Sequence, residues 1–251
     1  MSRARSRPQR RGTGHPEHRA RPWDSGAVSD RFDEPVTDPG ALVERARRLV
    51  TPGQRRLLGI VGQPGAGKST LAAAVVHALG PEAALVPMDG FHLAQVELDR
   101  LGARDRKGAI DTFDAGGLLS LLRRLHAADE PVVYAPAFHR EIEEAVAGSI
   151  PVPRSVPLVV VEGNYLLVDD GPWAKIADLL AESWYVELDE PTRVERLVAR
   201  HMRFGRDRAA AEAHALGSDQ RNAELIATTR GRADLAGYFV VHLGSGHPGQ
   251  R

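Results

Sequence analysis

The chain of 251 residues has no cysteine, and lysine occurs only at Lys68, Lys107 and Lys175. The absence of cysteine excludes disulfides, iron–sulfur clusters and zinc sites built on thiolates. No hydrophobic run approaches the length of a membrane-spanning helix, so no membrane association is expected. The formal net charge is zero, which argues against a broadly basic surface. Because lysine is rare, a lysine that falls inside a recognisable motif is informative.

Charge is concentrated at one end of the chain. Residues 1–22 contain seven arginines and one glutamate, together with prolines and glycines, and show no apolar periodicity. We predict a disordered, arginine-rich tail over residues 1–37, a folded domain over 38–244 and a flexible C-terminus over 245–251. The tail lacks the apolar segment of a secretory signal, so a cytoplasmic protein is expected. Any contact with nucleic acid would be confined to this tail.

One segment matches the pattern G-x-x-x-x-G-K-[ST] of the phosphate-binding P-loop. An apolar run at 56–61 precedes the segment and predicts a buried parallel strand, and the residues that follow predict a helix that stops at Gly80 and Pro81. Glycines allow the backbone to fold around phosphate oxygens, and the helix N-terminus favours anions. Lys68 would reach the β- and γ-phosphates, and the Ser69 hydroxyl would bind Mg²⁺. The predicted nucleotide-binding residues are Gly62, Gln63, Pro64, Gly65, Ala66, Gly67, Lys68, Ser69 and Thr70.

Strands alternate with helices along the rest of the chain, and the last predicted strand covers 238–243. This alternation predicts an α/β protein with the three-layer P-loop NTPase fold: a mostly parallel sheet, helices on both faces and a helical lid. Ligands of such folds bind beyond the carboxyl ends of the strands. The P-loop, Asp89 and Glu162 all follow predicted strands, so we expect them to share one site.

Asp89 and Glu162 have both chemical and structural interpretations. Asp89 suits a general base that accepts a hydroxyl proton, although an Asp before Gly also caps turns. Glu162 suits a ligand of Mg²⁺ or of its water molecules, although a carboxylate can simply end a strand. No H-E-x-x-H motif or other close histidine pair occurs, so we expect no protein-bound metal beyond the Mg²⁺ that accompanies the nucleotide.

Beyond the P-loop, the chain resembles the P-loop small-molecule kinases that include uridine kinase, bacterial pantothenate kinase and phosphoribulokinase. The resemblance covers most of the chain after residue 40. The segments that carry it are Met88–His92, Lys107–Asp114, Tyr134–Arg140, Val161–Leu167 and Arg200–Arg206. Related sequences usually carry an acidic residue where His139 stands, so this chain lacks one expected hydrogen-bond acceptor for a substrate hydroxyl.

The resemblance implies ATP-dependent phosphoryl transfer to a hydroxyl group of a small molecule, with ATP and Mg²⁺ as cofactors. It implies catalytic roles for Asp89, Lys68, Arg200 and Arg203, with Arg206 as a third lid arginine. Implied acceptor contacts are His92, His139, Arg140, Glu162 and Tyr165, and the metal ligands are Ser69 and Glu162. Arg104 and Lys107 are candidates for contacts with substrate anions, and Asn222 for a contact near the adenine.

The acceptor and the partners stay open at this point. A uridine-like nucleoside or a pantothenate-like acid is the leading expectation for the acceptor, and a sugar is the alternative; a homodimer is compatible with the sequence. A GTPase switch would carry an N-K-x-D motif, and a motor ATPase would carry an acidic pair after the central strand. The chain has neither, since Glu162 is followed by Gly163 and Asn164. A non-catalytic, regulatory P-loop protein is a further alternative, which the change at His139 keeps open.

Overall fold

The computed structural model describes residues 39–239, so the predicted tail 1–37 and the segment 245–251 lie outside the described residues. The helices are α1 (Pro39–Leu49), α2 (Lys68–Leu79), α3 (Gln95–Arg100), α4 (Ala115–Ala127), α5 (Gly171–Ala177), α6 (Glu190–Arg203), α7 (Arg208–Leu216) and α8 (Ser218–Ala227). The strands are β1 (Arg56–Gly62), β2 (Ala83–Pro87), β3 (Val132–His139), β4 (Glu144–Pro153), β5 (Leu158–Glu162), β6 (Glu182–Val186) and β7 (Leu235–Gly237).

Five strands form a parallel sheet in the order β2-β5-β1-β6-β7. All five residues of β5 are buried, and so are six of the seven residues of β1. Near-continuous apolar strands of this kind form where helices cover both faces of a sheet. The predicted α/β fold with a mostly parallel sheet is therefore confirmed.

The two faces of the sheet carry separate hydrophobic cores because side chains alternate along each strand. Leu57 and Val61 of β1 pack in a cluster with the leucines of α4 and with residues of α5. Leu58 and Ile60 of the same strand pack in a second cluster with residues of α1 and α2. The sheet is thus the middle of three layers, and its carboxyl edge stays free to form a site.

Two parts of the sheet differ from expectation. The strand predicted at 132–134 continues to His139 and pairs with β4 in a separate antiparallel hairpin. The last strand of the main sheet is Leu235–Gly237, whereas Tyr238 and Phe239 are not in a strand. The prediction of a closing strand at 238–243 is therefore wrong for its first two residues, and residues 240–243 lie outside the described part.

Helices α6, α7 and α8 form a unit that we call the helical cap. Side chains of α6 and α7 share a small buried core made of Leu197, Val198, Ala211 and Ala215. Asp189 and Asp207 cap the N-termini of α6 and α7 by accepting hydrogen bonds from backbone N–H groups. None of the described helices is both long and apolar enough to cross a membrane.

Candidate active site

The P-loop connects the central strand β1 to the N-terminus of α2. Gly65 has φ +85°, and a Cβ there would lie 2.9 Å from the Arg193 carbonyl oxygen, so the loop passes too close to α6 for a side chain. Gly67 has φ +102° and immediately precedes the helix. Both glycines adopt a left-handed backbone that other residues rarely take. The two glycines therefore let the loop turn tightly just before the helix N-terminus, a position that favours anions.

Lys68 is the first residue of α2, and its side chain is buried beneath the loop. Its Nζ donates a hydrogen bond of 3.0 Å to the carbonyl oxygen of Gln63. Burial lowers the pKa of this ammonium to about 8, and the nearby carboxylates of Glu162 and Asp89 oppose that shift. A bound phosphate would offset the desolvation of this cation, since phosphate oxygens carry the opposite charge.

Glu162 ends β5 beside the P-loop because β5 pairs directly with β1, with Glu162 opposite Ile60. The Ser69 hydroxyl donates a hydrogen bond of 3.2 Å to Glu162 Oε1. The pKa of the Glu162 carboxyl is raised, first by burial and then by the charge of Asp89. A hydroxyl and a carboxylate at this separation suit neighbouring positions around a Mg²⁺ ion, which prefers oxygen ligands. A cation bound there would also relieve the repulsion between the carboxylates of Glu162 and Asp89.

Asp89 lies one strand further along the same edge, because β2 pairs with β5. It belongs to a short 3₁₀ turn, Met88–Phe91, that follows the strand. Its carboxylate Oδ2 lies 3.6 Å from Arg140 Nη2, and its carbonyl oxygen accepts a hydrogen bond of 2.8 Å from His92 Nδ1. Burial lowers the pKa of His92 and so favours the neutral ring. Asp89 therefore faces the cleft with a cation at one side.

The helical cap contributes arginine to the other side of the cleft. Arg200 and Arg206 line it, whereas Arg203 is exposed and does not. Burial lowers the pKa of Arg200, and the charge of Arg140 lowers it further. Of the three predicted cap arginines, Arg200 and Arg206 therefore lie at the cleft, and Arg203, the last residue of α6, does not.

Aromatic rings that the sequence did not single out organise the far wall of the cleft. The Phe138 ring lies 4.8 Å from the ring of His92 and 4.8 Å from Lys107 Nζ. The Arg140 guanidinium lies over the rings of Phe138 and Phe204, at 5.9 and 5.4 Å. These rings hold the cationic side chains at fixed positions without neutralising them.

Tyr165 and Asn222, both expected to contact ligands, meet at a backbone carbonyl, and of the two only Asn222 also lines the cleft. Tyr165 is fully buried, and its hydroxyl donates a hydrogen bond of 2.7 Å to the Gly108 oxygen. Asn222 Nδ2 donates to the same oxygen over 3.2 Å. Both side chains anchor the 104–109 loop, which also carries Lys107. The structure thus places Tyr165 behind the cleft wall, in a positioning role.

The remaining predicted residues lie at or outside the margin of the site. His139 and Thr70 are exposed and do not line the cleft. Arg104 does line it and forms an ion pair of 2.8 Å with Asp99. The cleft has a volume of about 620 Å³, which is within the usual range for small-molecule sites. Predicted site residues that line it are Pro64, Lys68, Ser69, Asp89, His92, Arg140, Glu162 and Arg200, together with the further candidates Arg104, Lys107, Arg206 and Asn222.

Known proteins give an independent view of this arrangement. No protein-family profile matches the chain. A Schizosaccharomyces pombe protein named "Putative uridine kinase C227.14" is 36% identical over 196 residues, which cover 74% of this chain and 83% of that protein. The Aspergillus versicolor "ATP-dependent kinase-like protein notR'" is 37% identical over 57% of this chain and 88% of its own length.

Solved structures agree with these sequence relatives. A "putative fructose transport system kinase" from Silicibacter sp. TM1040 superposes with a TM-score of 0.74 at 36% identity, covering 80% of this chain and 98% of that chain. YFH7 from Saccharomyces cerevisiae superposes with a TM-score of 0.70 at 19% identity, which shows a shared fold. Identity above 30% over most of a relative's length, together with an intact P-loop, shows that the chain belongs to the family of uridine kinase-like P-loop kinases and is an ATP-dependent kinase.

Proposed function

We propose that the chain transfers the γ-phosphoryl group of Mg·ATP to a hydroxyl group of a small metabolite, with Asp89 as the general base. The observation that supports this most is that Lys68, Ser69, Asp89, Glu162 and Arg200 line one cleft at the carboxyl edge of the sheet. The P-loop follows β1 and the candidate base Asp89 follows β2. Strand β5 lies between these two strands, so both groups reach the same edge of the sheet. A protein that only bound phosphate would not need a carboxylate such as Asp89 beside the P-loop.

The residues divide the reaction among them. The P-loop backbone and Lys68 bind the phosphates, and Ser69 and Glu162 would hold Mg²⁺, which neutralises charge on the β- and γ-oxygens. The acceptor oxygen bonds to the γ-phosphorus as the bond from that phosphorus to the β-bridging oxygen breaks. The hydroxyl proton moves to the Asp89 carboxylate. Arg140 and Arg200 stabilise the charge on the transferring group, because both cations line the cleft and burial reduces the solvation of Arg200 by water.

The acceptor is proposed by class. A uridine-like nucleoside or a pantothenate-like acid follows from the resemblance, and the name of the Schizosaccharomyces pombe relative supports a nucleoside. A sugar is the second candidate, because the structural relative at 36% identity has fructose in its name. The wall formed by Phe138, Lys107 and Arg140 offers an apolar ring face beside hydrogen-bond donors, which suits a polyhydroxylated molecule.

The test is ADP formation from Mg·ATP by the purified protein with nucleosides, pantothenate, pentoses and hexoses offered one at a time. We expect ADP release that depends on one acceptor class and disappears in Asp89→Asn. Asp105→Asn is the matched control, since Asp105 also lines the cleft but is exposed and does not follow a strand. ADP release that no acceptor changes would favour a nucleotide hydrolase or switch, and ATP binding without any release would favour a regulatory protein.

A further inference from the structure

Three side chains that can bind a metal meet in the helical cap, one from each helix. His201 comes from α6, His214 from α7 and Asp219 from α8. Their ligand atoms all lie within 4.8 Å of one another. All three residues also line the cleft, so the cluster has one side in the protein and one side toward the ligand space.

The cluster is compact and already ordered by contacts within it. His201 Nε2 lies 2.7 Å from Asp219 Oδ2, and the rings of His201 and His214 are 4.7 Å apart in an edge-to-face arrangement. The side chains of His201 and Asp219 are only 15% and 13% exposed. Ligand atoms around a tetrahedral Zn²⁺ are about 3.4 Å apart, given metal–ligand distances of about 2.0–2.1 Å. The present separations, from 2.7 Å between His201 and Asp219 to at most 4.8 Å, lie on both sides of this value.

The donor atoms select a class of metal. Two imidazoles and one carboxylate are the ligands of zinc-type dications, whereas Mg²⁺ prefers a shell made of oxygens. Three protein ligands leave one position for water or for a ligand oxygen, and the cleft supplies the space for it. This site is not apparent from local sequence spacing, because 12 residues separate the two histidines.

The charged side chains around the cluster only partly oppose the binding of a metal cation. Arg206 and Arg200 lie close enough for their charges to interact with His214. Lys68 and Asp219 also interact electrostatically. The carboxylates of Asp89 and Glu162 act in turn on Arg200 and offset its charge. Among the charged groups that disfavour a positive charge at His214, Arg206 has the largest effect, so its charge is the main repulsive contribution. This predicts a site of moderate affinity that improves when Arg206 is neutralised.

We propose that His201, His214 and Asp219 form a binding site for one zinc-type dication in the helical cap, separate from the magnesium ligands Ser69 and Glu162. An ion there would join α6, α7 and α8 at a single point. It would also fix the segment that carries Arg200 and Arg206 over the cleft. The expectation that the chain holds no metal beyond Mg²⁺ is replaced by this proposal.

The test is equilibrium dialysis of tag-free, chelator-treated full-length protein against ZnCl₂, with the bound metal counted per chain. We expect one Zn²⁺ per chain. Binding should weaken by at least about 10–100-fold in His214→Ala and in Asp219→Asn, since loss of even an outer partner of a metal ligand has that effect. Arg206→Ala should bind more tightly than the unmodified protein.

Two controls separate this site from other sources of binding. His126→Ala removes an exposed histidine on α4 and should leave the affinity unchanged. Glu162→Gln alters the magnesium site and should also retain the zinc. Co²⁺ gives a second readout, because ligation by imidazole in a four- or five-coordinate site produces visible absorption that His214→Ala should abolish. Circular dichroism confirms that each variant is folded.

The proposal fails if no stoichiometric Zn²⁺ is bound at roughly 100 μM free metal. It also fails if His214→Ala and Asp219→Asn, both folded, bind as the unmodified protein does. Loss of binding in Glu162→Gln alone would place the ion at the magnesium ligands and would equally overturn it. None of these outcomes depends on kinase activity, so the result is independent of the proposed reaction.

Discussion

The Gly108 carbonyl oxygen offers a quantitative test of how the 104–109 loop is held. Tyr165 Oη and Asn222 Nδ2 donate to it over 2.7 and 3.2 Å. Tyr165→Phe or Asn222→Ala removes one donor and leaves the oxygen with the other. Each single change should therefore lower the free energy of unfolding by about 0.5–1.5 kcal/mol, the net value of an intramolecular hydrogen bond.

The double variant is the informative one. It leaves the carbonyl without either side-chain donor, and an unsatisfied buried acceptor costs about 1–3 kcal/mol. Because Gly108 is only partly buried, we expect the lower end of this range. The loss in the double variant should thus exceed the sum of the single losses by about 1 kcal/mol, within the usual coupling range for residues that share a partner.

Urea denaturation of the four proteins, with equal m-values required, measures this coupling. Steady-state kinetics add a second readout: because the loop carries Lys107, Asn222→Ala should raise KM for the acceptor more than KM for ATP. Losses that add within about 0.3 kcal/mol would refute the shared anchor. A larger effect on KM for ATP would instead support the adenine contact first expected for Asn222.

Three further predictions concern the fold and the phosphate site. Gly90→Ala places a Cβ 2.4 Å from a backbone oxygen of β3. This variant should destabilise the protein by about 1–3 kcal/mol and lower Tm. Gly116→Ala, whose Cβ would have its nearest neighbour 3.6 Å away, should leave Tm unchanged. Lys68→Ala should weaken Mg·ATP binding by about 10–100-fold in calorimetry, because a charged hydrogen bond contributes about 1.5–3 kcal/mol; unchanged affinity would remove Lys68 from the phosphate site. Leu122→Ala, in the core, should lose about 2–5 kcal/mol in urea unfolding. Leu101→Ala, 46% exposed, should change by less than about 0.5 kcal/mol, and equal losses in the two would contradict the assigned core.

The sequence predicts those parts of the site that depend on strand ends. Glu162 and Asp89 could be placed beside the P-loop, because each follows an apolar run and parallel strands end at one edge. The strand β4 was missed, since six of its ten residues are exposed and it gives no strong apolar pattern. Local spacing therefore sufficed for the central sheet but not for the peripheral hairpin.

The directions of side chains were harder to predict from the sequence than the positions of the strand ends. Arg203 follows Arg200 by three residues, about one helical turn, yet of these two arginines only Arg200 lines the cleft. Tyr165 lies in a segment that resembles a substrate-contacting one, but its hydroxyl points to a backbone oxygen. The cluster of His201, His214 and Asp219 requires three helices to meet. Such contacts depend on packing, which local periodicity does not specify.

The central claim is that Asp89 accepts the proton of the acceptor hydroxyl. Asp89→Asn keeps the size of the side chain but cannot act as a base, and loss of a positioned base typically lowers the rate by about 10²–10⁴-fold. Asp105→Asn makes the same chemical change at an exposed position in the same cleft. The pair therefore separates loss of a base from loss of a charge.

The decisive measurement is single-turnover transfer of the labelled γ-phosphoryl group from Mg·ATP to the acceptor found in the panel, with ATP affinity measured in parallel for all three proteins. We predict that Asp89→Asn binds ATP as the unmodified protein does but transfers the phosphoryl group at least about 100-fold more slowly, whereas Asp105→Asn transfers it at the normal rate. Transfer by Asp89→Asn within a few-fold of the unmodified rate would contradict the account.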